Sequence, residues 1–359
     1  MPSSINLLPF LSNLERTTFA VCPRRLNRGR RLRFGVETTA RLFSGGFLPS
    51  CRVHLDDASL PAGGNSNLPA ECFFVGVEVG SILIRAGVFT SGLRLVGKAK
   101  LSTKLERGPD AVFDRVARCV HYAIDECDLR MNQMQGMAVG IAGCVDESQG
   151  LVRKSSELGW EDVFVGPGLA EHISVPLQVA NSFHLAALGA SVHDAKSAPA
   201  SGVLALFLGP VLGGAFIREG KWSPSDDAAL AEIMELPEEN VLRTFPSSEF
   251  RACRSRDFRR ALRQGSRAAQ AFLDELVTAA EEVISRAVEQ LRPQVIVIGG
   301  GAIEDVRETI LGKIRTKVPA GPETSLKWIA STLSDSATIT GGATWAAMLA
   351  RQPLVSAAS

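Results

Sequence analysis

From about residue 73 onward the chain alternates short apolar runs with polar breaks. "FFVGVEVG" (73–80) predicts a strand that ends at glycine, and "ILIRAGVF" (82–89) and "RLVGKAKL" (94–101) predict two more strands. The connections between these runs are only a few residues long. Strands joined so tightly pair with their neighbours, so the pattern predicts an antiparallel meander of three strands.

The next segment changes from alternation to helical spacing. Apolar residues recur three or four positions apart over residues 108–129, which predicts a long helix. The segments that follow predict two buried strands and a helix, in the order "GMAVGIAG" (136–143), "PLQVA" (176–180) and "SFHLAALGASV" (182–192).

The strand–turn–strand opening then occurs a second time, in "VLALFLGPVLGGAFIREGK" (203–221). Val79-Gly80 aligns with Leu208-Gly209, which indicates a duplicated α/β unit. We therefore predict two α/β lobes around a cleft, each with a mixed sheet covered by helices. Glycine turns from both lobes are expected to face this cleft, where their backbone N–H groups suit a phosphate-bearing ligand.

These patterns divide the chain into four parts. Residues 71–184 form the predicted N-terminal lobe, residues 185–340 the C-terminal lobe, and residues 341–359 a helix that returns to the first lobe. Residues 1–70 contain many arginines, no lysine and few acidic residues. This composition is typical of an organelle transit peptide followed by a linker, and we predict import into the chloroplast (the plastid stroma), with the mitochondrial matrix as the alternative. The other interpretation is a basic tail that binds an anionic partner.

Composition narrows the function classes. The chain has 359 residues and a net charge of +1, which gives no electrostatic reason to expect nucleic acid as its main partner. No apolar run is long enough to cross a bilayer, so no membrane partner is expected. The seven cysteines are scattered and none forms a CxxC pair, which argues for reduced thiols and against a structural zinc site.

Six glycine-containing segments occur in the order and roughly the spacing found in one protein family. They are "VGVEVGSILIRAG", "VGIAGCVD", "SELGW", "VANSFHLAALGA", "LGPVLGGA" and "VIVIGGGA". On these segments the chain resembles the ROK family (repressor, open reading frame, kinase), whose kinases phosphorylate glucose and related hexoses. The resemblance covers residues 73–351. It implies the two-lobed, actin-like fold of hexokinases, of the ribonuclease H-like class, with a cleft for Mg-ATP and a sugar.

The resemblance also assigns roles to residues, position by position. Ser182 stands at the catalytic aspartate, which accepts the proton of the attacking sugar hydroxyl. The implied substrate-binding residues are Asn181, Glu232, Glu235 and Glu157. The implied nucleotide-binding residues are Glu78, Gly80, Ser81, Gly209, Gly213, Gly214, Gly299, Gly300 and Gly301.

The chain departs from the family pattern at these same positions. A serine hydroxyl does not act as a base near neutral pH, so we expect the loss of general-base catalysis worth about 10²–10⁴-fold. In the first phosphate loop Ile82 replaces a threonine, and in the second Pro210 removes a backbone donor. Glu235 stands at the family's histidine and the zinc-binding cysteines that follow it in the family are absent, so no zinc is expected.

Two functions are open at this point. The first is a catalytically degenerate pseudokinase that acts through binding, regulation or assembly. The second is an active ATP-dependent hexose kinase, for glucose or an N-acylhexosamine, with Glu157 or Asp146 as the replacement base. His184 is interpreted as a packing residue, and the basic run 251–267 as a solvated helix face or a contact for an acidic partner or nucleic acid. A sugar, a protein partner and a second copy of the chain are the partners considered.

Overall fold

The computed structural model describes residues 72–195, 202–209, 211–234, 242–244, 250, 253–318 and 326–351. The predicted transit peptide lies outside these residues, so the import prediction stays a prediction. None of the helices in the described ranges is both long and apolar enough to span a membrane.

The first half of the described chain opens with the predicted meander and ends in a strand–helix junction. Its elements, in chain order, are β1 (Phe73–Val79), β2 (Leu83–Thr90), β3 (Leu95–Ser102), α1 (Pro109–Asp125), β4 (Met134–Ile141), β5 (Cys144–Asp146), β6 (Leu151–Ser155), β7 (Trp160–Phe164), α2 (Val165–Ala170), β8 (Leu177–Asn181) and α3 (Ser182–His193).

The second half repeats the opening and is richer in helices. Its elements are β9 (Val203–Leu208), β10 (Val211–Ile217), α4 (Pro224–Ile233), β11 (Leu242–Thr244), α5 (Ser255–Arg263), α6 (Arg267–Gln290), β12 (Val295–Gly299), α7 (Arg307–Lys317), β13 (Lys327–Ala330) and α8 (Ala337–Arg351).

The two large sheets have the same topology. The strand order is β3-β2-β1-β4-β8 in the first sheet and β11-β10-β9-β12-β13 in the second. In each sheet the first three strands in chain order pair antiparallel, and the two later strands add in parallel beside the first. The predicted duplicated, two-lobed α/β fold with mixed sheets is therefore confirmed.

Helices cover both faces of each sheet, and two of them lie between the sheets. The outer face of the first sheet packs on α1 and α2, and that of the second on α4, α5, α6 and α7. Small apolar residues of α3 and α8 fill the space between the inner faces. A Cβ at Gly76 would collide with the carbonyl oxygen of Ile339, and one at Gly341 with that of Leu185. Glycine therefore lets α8 lie directly on β1 and α3.

The structure adds elements that the apolar pattern did not predict. Strands β5, β6 and β7 form a separate three-stranded sheet after the first lobe's central strand. Helix α8 begins at Ala337, three residues before the predicted closing helix. Because α3 contacts both large sheets and α8 packs on α3 and the first sheet, the predicted lobe boundaries at residues 184 and 340 stay predictions.

Candidate functional site

The strand–helix junction at Asn181-Ser182 lies at the end of β8, next to the ends of β1 and β4. Asn181 caps α3: its Oδ1 accepts a hydrogen bond from the backbone N–H of Phe183 at 2.8 Å. Its Nδ2 donates to the carbonyl oxygen of Gly143 at 2.7 Å. The amide of the predicted sugar-binding residue therefore holds the junction together, and only 6% of Asn181 is exposed.

Ser182 is the first residue of α3 and is buried. The hydroxyl of Thr338, in the first turn of α8, donates toward the carbonyl oxygen of Ser182 at 3.5 Å. The same hydroxyl lies 3.4 Å from Oε1 of Glu78. The position of the family's catalytic aspartate is thus packed between two helices and beside a carboxylate from β1.

Glu78 is bound by an arginine rather than left open toward a cation. It pairs across the ladder with Arg85 of β2, whose Nη1 donates to Glu78 Oε2 at 2.8 Å. Arg85 also reaches Asp335, just before α8, at 3.4 Å. Burial raises the pKa of Glu78, and the positive charge of Arg85 partly offsets this effect. The carboxylate that the resemblance assigns to nucleotide binding is therefore paired with an arginine of the protein itself.

The first glycine turn joins β1 to β2, and a side chain occupies its donors. The N–H of Gly80 closes the turn by donating to the carbonyl oxygen of Leu83 at 3.0 Å. The N–H and the hydroxyl of Ser81 both donate to Oε1 of Glu157, at 3.0 and 3.1 Å. Glu157 comes from the connection between β6 and β7. One carboxylate oxygen thus takes the donors that the resemblance assigns to phosphate.

The second glycine turn joins β9 to β10 and is closed by backbone and by an aromatic ring. The N–H of Gly209 donates to the carbonyl oxygen of Val211 at 3.0 Å. A Cβ at Gly213 would lie far inside van der Waals distance of the Phe183 ring. Gly214 lies next in β10, against the backbone of β9. Pro210 lies outside the described residues, so the prediction made for it is untested.

The third glycine turn, Gly299–Gly301, is held in place by its neighbours. Gly300 has a φ of +113°, and a Cβ there would collide with the backbone of Leu208. Arg259 of α5 donates a hydrogen bond to the carbonyl oxygen of Gly301. These contacts require glycine for packing, independently of any adenosine.

The remaining predicted site residues are placed apart from the junction. Glu232 is exposed on the last turn of α4, and Arg286 of α6 donates to its backbone carbonyl. Glu235 lies outside the described residues. Asp146, a candidate base, accepts hydrogen bonds from Ser148 and Arg153, which lower its pKa and make it a weaker base. Glu157, the other candidate base, contacts the first turn.

His184 packs against an aromatic ring and also faces two carboxylates. Its ring lies between the carboxylates of Asp227 and Glu147 and stacks on Trp222. Burial lowers the pKa of His184, but the electrostatic interaction with these two carboxylates outweighs burial and raises it to about 9.

Within the described ranges, no group of three or more His, Cys, Asp and Glu side chains is arranged to hold a metal ion. None of the five cysteines in these ranges forms a disulfide. Burial raises the pKa of the Cys119 thiol to about 11, so this cysteine is unreactive near neutral pH.

Comparison with known proteins decides the family. The ROK family model matches residues 74–224 and 235–349. The chain belongs to the ROK family. The predicted resemblance is therefore confirmed, and it extends over both halves of the described structure.

Relatives of this ROK protein include characterised kinases. A glucokinase from Halalkalibacterium halodurans is 24% identical over 148 residues, which span 41% of this chain and 44% of that enzyme. A ROK family glucokinase from Streptomyces griseus, solved in complex with glucose and AMPPNP, is 19% identical with a TM-score of 0.59, covering 77% of this chain and 99% of that one. A ROK hexokinase from Thermus thermophilus is 19% identical with a TM-score of 0.57, covering 78% and 100%. At these identities the solved structures establish the fold alone.

Proposed function

We propose that this ROK protein is a catalytically degenerate sugar-kinase relative, a pseudokinase that acts through binding or assembly and transfers no phosphoryl group. The supporting observation is the contact of the Glu157 carboxylate with the N–H and hydroxyl of Ser81. A negative charge already fills the first turn, where the γ- or β-phosphate of a nucleotide would need the same donors. Bound phosphate would have to displace that carboxylate and would meet its repulsion.

The residues around the turn also fit Mg-ATP poorly. Phosphoryl transfer depends on donors and cations aimed at the transferred group. Here the first turn is engaged by Glu157, the second by its own backbone and Phe183, and Glu78 by Arg85. Ser182 supplies no base. Each of these features opposes the same reaction at a different step.

Nucleotide binding is the direct test of this proposal. We expect no rise in the melting temperature of residues 71–359 with Mg-ATP, Mg-ADP or AMPPNP at millimolar concentration. Ligand at one hundred times its Kd would add about 2.7 kcal/mol of stability, a shift that thermal unfolding resolves easily. Glu157→Asn, which restores the family's residue, is the matched variant. A saturable, magnesium-dependent shift in the unaltered protein would refute the proposal.

An active hexose kinase is the second candidate, because one carboxylate does lie near the junction. Glu78 lies within 3.4 Å of the Thr338 hydroxyl, which itself lies 3.5 Å from the carbonyl oxygen of Ser182. Its raised pKa makes it a stronger base than an ordinary carboxylate. In this alternative Glu78 takes the proton of a bound hexose. Loss of turnover in Glu78→Gln, with folding retained, would support it.

The same proposal includes a location. We propose that the arginine-rich residues 1–70 direct the folded part into the plastid stroma, with the mitochondrial matrix as the alternative. Fusion of residues 1–70 to a fluorescent protein tests this, because an equally diffuse signal with and without the segment would contradict import. A fusion in which the arginines of residues 1–70 are replaced by glutamine is the control.

A further inference from the structure

A buried charged cluster lies apart from the glycine turns. It consists of His184 in the first turn of α3, Asp227 in the first turn of α4, Trp222 just before α4, and Glu147 in the turn between β5 and β6. His184 Nε2 lies 3.2 Å from Asp227 Oδ1, and Nδ1 lies 3.8 Å from Glu147 Oε1. The indole N–H of Trp222 donates to the same Glu147 oxygen at 3.0 Å.

Aromatic rings enclose this cluster. The His184 and Trp222 rings stack with centroids 5.2 Å apart, and Trp345 of α8 meets Trp222 edge-on at 5.2 Å. Both imidazole nitrogens are inaccessible to solvent and lack a partner at hydrogen-bonding geometry, and the His184 side chain is only 12% exposed. A neutral imidazole has one N–H donor, whereas its cation has two, one for each facing carboxylate. The geometry therefore favours a buried imidazolium.

The cluster connects parts of the molecule that otherwise make few contacts. Among the described elements, the sheet of β5, β6 and β7 packs on β8 and α2 of its own half. Glu147 reaches out of this sheet to Trp222, which belongs to the second half, and to His184 between the large sheets. No glycine turn and no residue of the Asn181-Ser182 junction takes part in these contacts.

We propose that Glu147, His184, Trp222 and Asp227 form a latch that fastens the small sheet to the second half and keeps the cleft between the halves in one arrangement without ligand. Glu147 is the movable part, since it is the member carried by a turn of the small sheet. His184 is the cation that binds it, and Asp227 holds His184 in place. The latch goes beyond the proposed function, because it concerns the conformation of the molecule whether or not phosphate is transferred.

The latch is also expected to open as the pH rises. Burial lowers the pKa of His184, but the facing carboxylates of Asp227 and Glu147 outweigh it and raise the pKa to about 9. The nearest other charged pair on these elements is Arg218 with Asp226, which bind each other at 3.3 Å. Protonated His184 keeps the latch closed at neutral pH, and deprotonation through about pH 9 releases it.

Hydrogen exchange of the folded protein tests the latch directly. In Glu147→Gln we expect backbone amides in residues 144–155 and 220–227 to exchange at least about tenfold faster at pH 7, because a charge-assisted contact is lost. Glu161→Gln is the matched control, since Glu161 is an exposed carboxylate of β7 in the same sheet. Amides of β1 and β12 should be unchanged in both variants. Exchange in Glu147→Gln that equals the unaltered protein in both segments would overturn the proposal.

A second measurement covers the case in which Glu147→Gln fails to fold. The imidazole signals of His184 and the indole N–H signal of Trp222 are followed by NMR in the unaltered protein from pH 6 to pH 10. We expect both to change together near pH 9. Titration of His184 at or below its ordinary pKa of 6.5 would show that these groups pack side by side without forming a latch. An indole N–H signal of Trp222 that does not change as His184 titrates would show the same.

Discussion

The two large sheets share one strand order and both first glycine turns close through a backbone hydrogen bond, yet different kinds of side chain lie on them. In the first sheet a carboxylate, Glu157, accepts both donors of Ser81. In the second sheet the backbone of Gly209 closes on Val211, and the ring of Phe183 lies on Gly213. One closure is polar and the other is apolar, although both turns belong to duplicated units.

Under the proposed function, this difference marks where the chain departed from phosphate binding. Neither of these side chains belongs to the turn on which it lies: Glu157 lies 76 residues after Ser81, and Phe183 lies 30 residues before Gly213. The glycines could therefore be retained for packing, as at Gly300, while the donors found partners inside the protein. The framework and the chemistry changed independently.

The largest expected effect concerns the framework. Gly76→Ala in the first sheet places a Cβ against the backbone of α8 and should lower the free energy of unfolding by more than about 3 kcal/mol. Gly312→Ala is the control, because nothing lies near a Cβ at that exposed helical position, and it should add about 0.5–1 kcal/mol. Urea unfolding of both variants measures this. Equal stability of the two would show that the packing of α8 on β1 is looser than described.

The second expected effect concerns the connection between the halves. Because the pKa of His184 is raised from 6.5 to about 9, the folded protein holds this proton more tightly than the unfolded chain. The contribution of protonated His184 to the free energy of unfolding is fully present below about pH 6.5 and is lost as the pH rises through about 9. The stability advantage of the unaltered protein over His184→Gln should therefore fall by on the order of 3 kcal/mol from about pH 6 to about pH 10. A constant difference across this range would contradict a buried cation.

The third prediction removes the apolar closure of the second turn. Phe183→Ala should cost about 2–3 kcal/mol, because its ring packs on Gly213 and on the apolar clusters that include both faces of the second sheet. Phe164→Ala is the matched control, since the Phe164 ring is half exposed, and it should cost less than about 1 kcal/mol. Thermal unfolding compares the two variants. If Phe183→Ala lowers the stability no more than Phe164→Ala does, the Phe183 ring does not close the turn.

The smallest effect is expected at the polar closure of the first turn. Ser81→Ala removes the hydroxyl bond to Glu157 and keeps the N–H bond, so it should cost about 0.5–1 kcal/mol. Ser91→Ala, at an exposed serine after β2, should be neutral. If Ser81→Ala is also neutral in urea unfolding, the carboxylate is held by the backbone alone.

Much of the fold can be predicted from local sequence, because the alternation of apolar and polar residues and the glycine turns each depend on only a few neighbouring residues. The three strands before Thr103 and the parallel strand β12 are predicted in this way. The small sheet is not, since β5 has three residues and none of them is buried. The closures are not predictable either: Glu157 and Ser81, or Glu147 and Trp222, meet only after the chain folds. The family resemblance located Ser182, but no sequence pattern indicated that Phe183 would pack on Gly213 or that Arg85 would pair with Glu78.

The central claim is that the protein transfers no phosphoryl group, and ADP formation tests it most directly. Residues 71–359 are incubated with Mg-ATP and a panel of hexoses that includes glucose and N-acylhexosamines, beside Ser182→Asp and the double variant Ser182→Asp with Glu157→Asn. The account predicts no hexose-dependent ADP in the unaltered protein or in Ser182→Asp, because the turn stays filled when only the base is restored. Hexose-dependent ADP formation by the unaltered protein that disappears in Glu78→Gln would contradict the account and establish an active kinase.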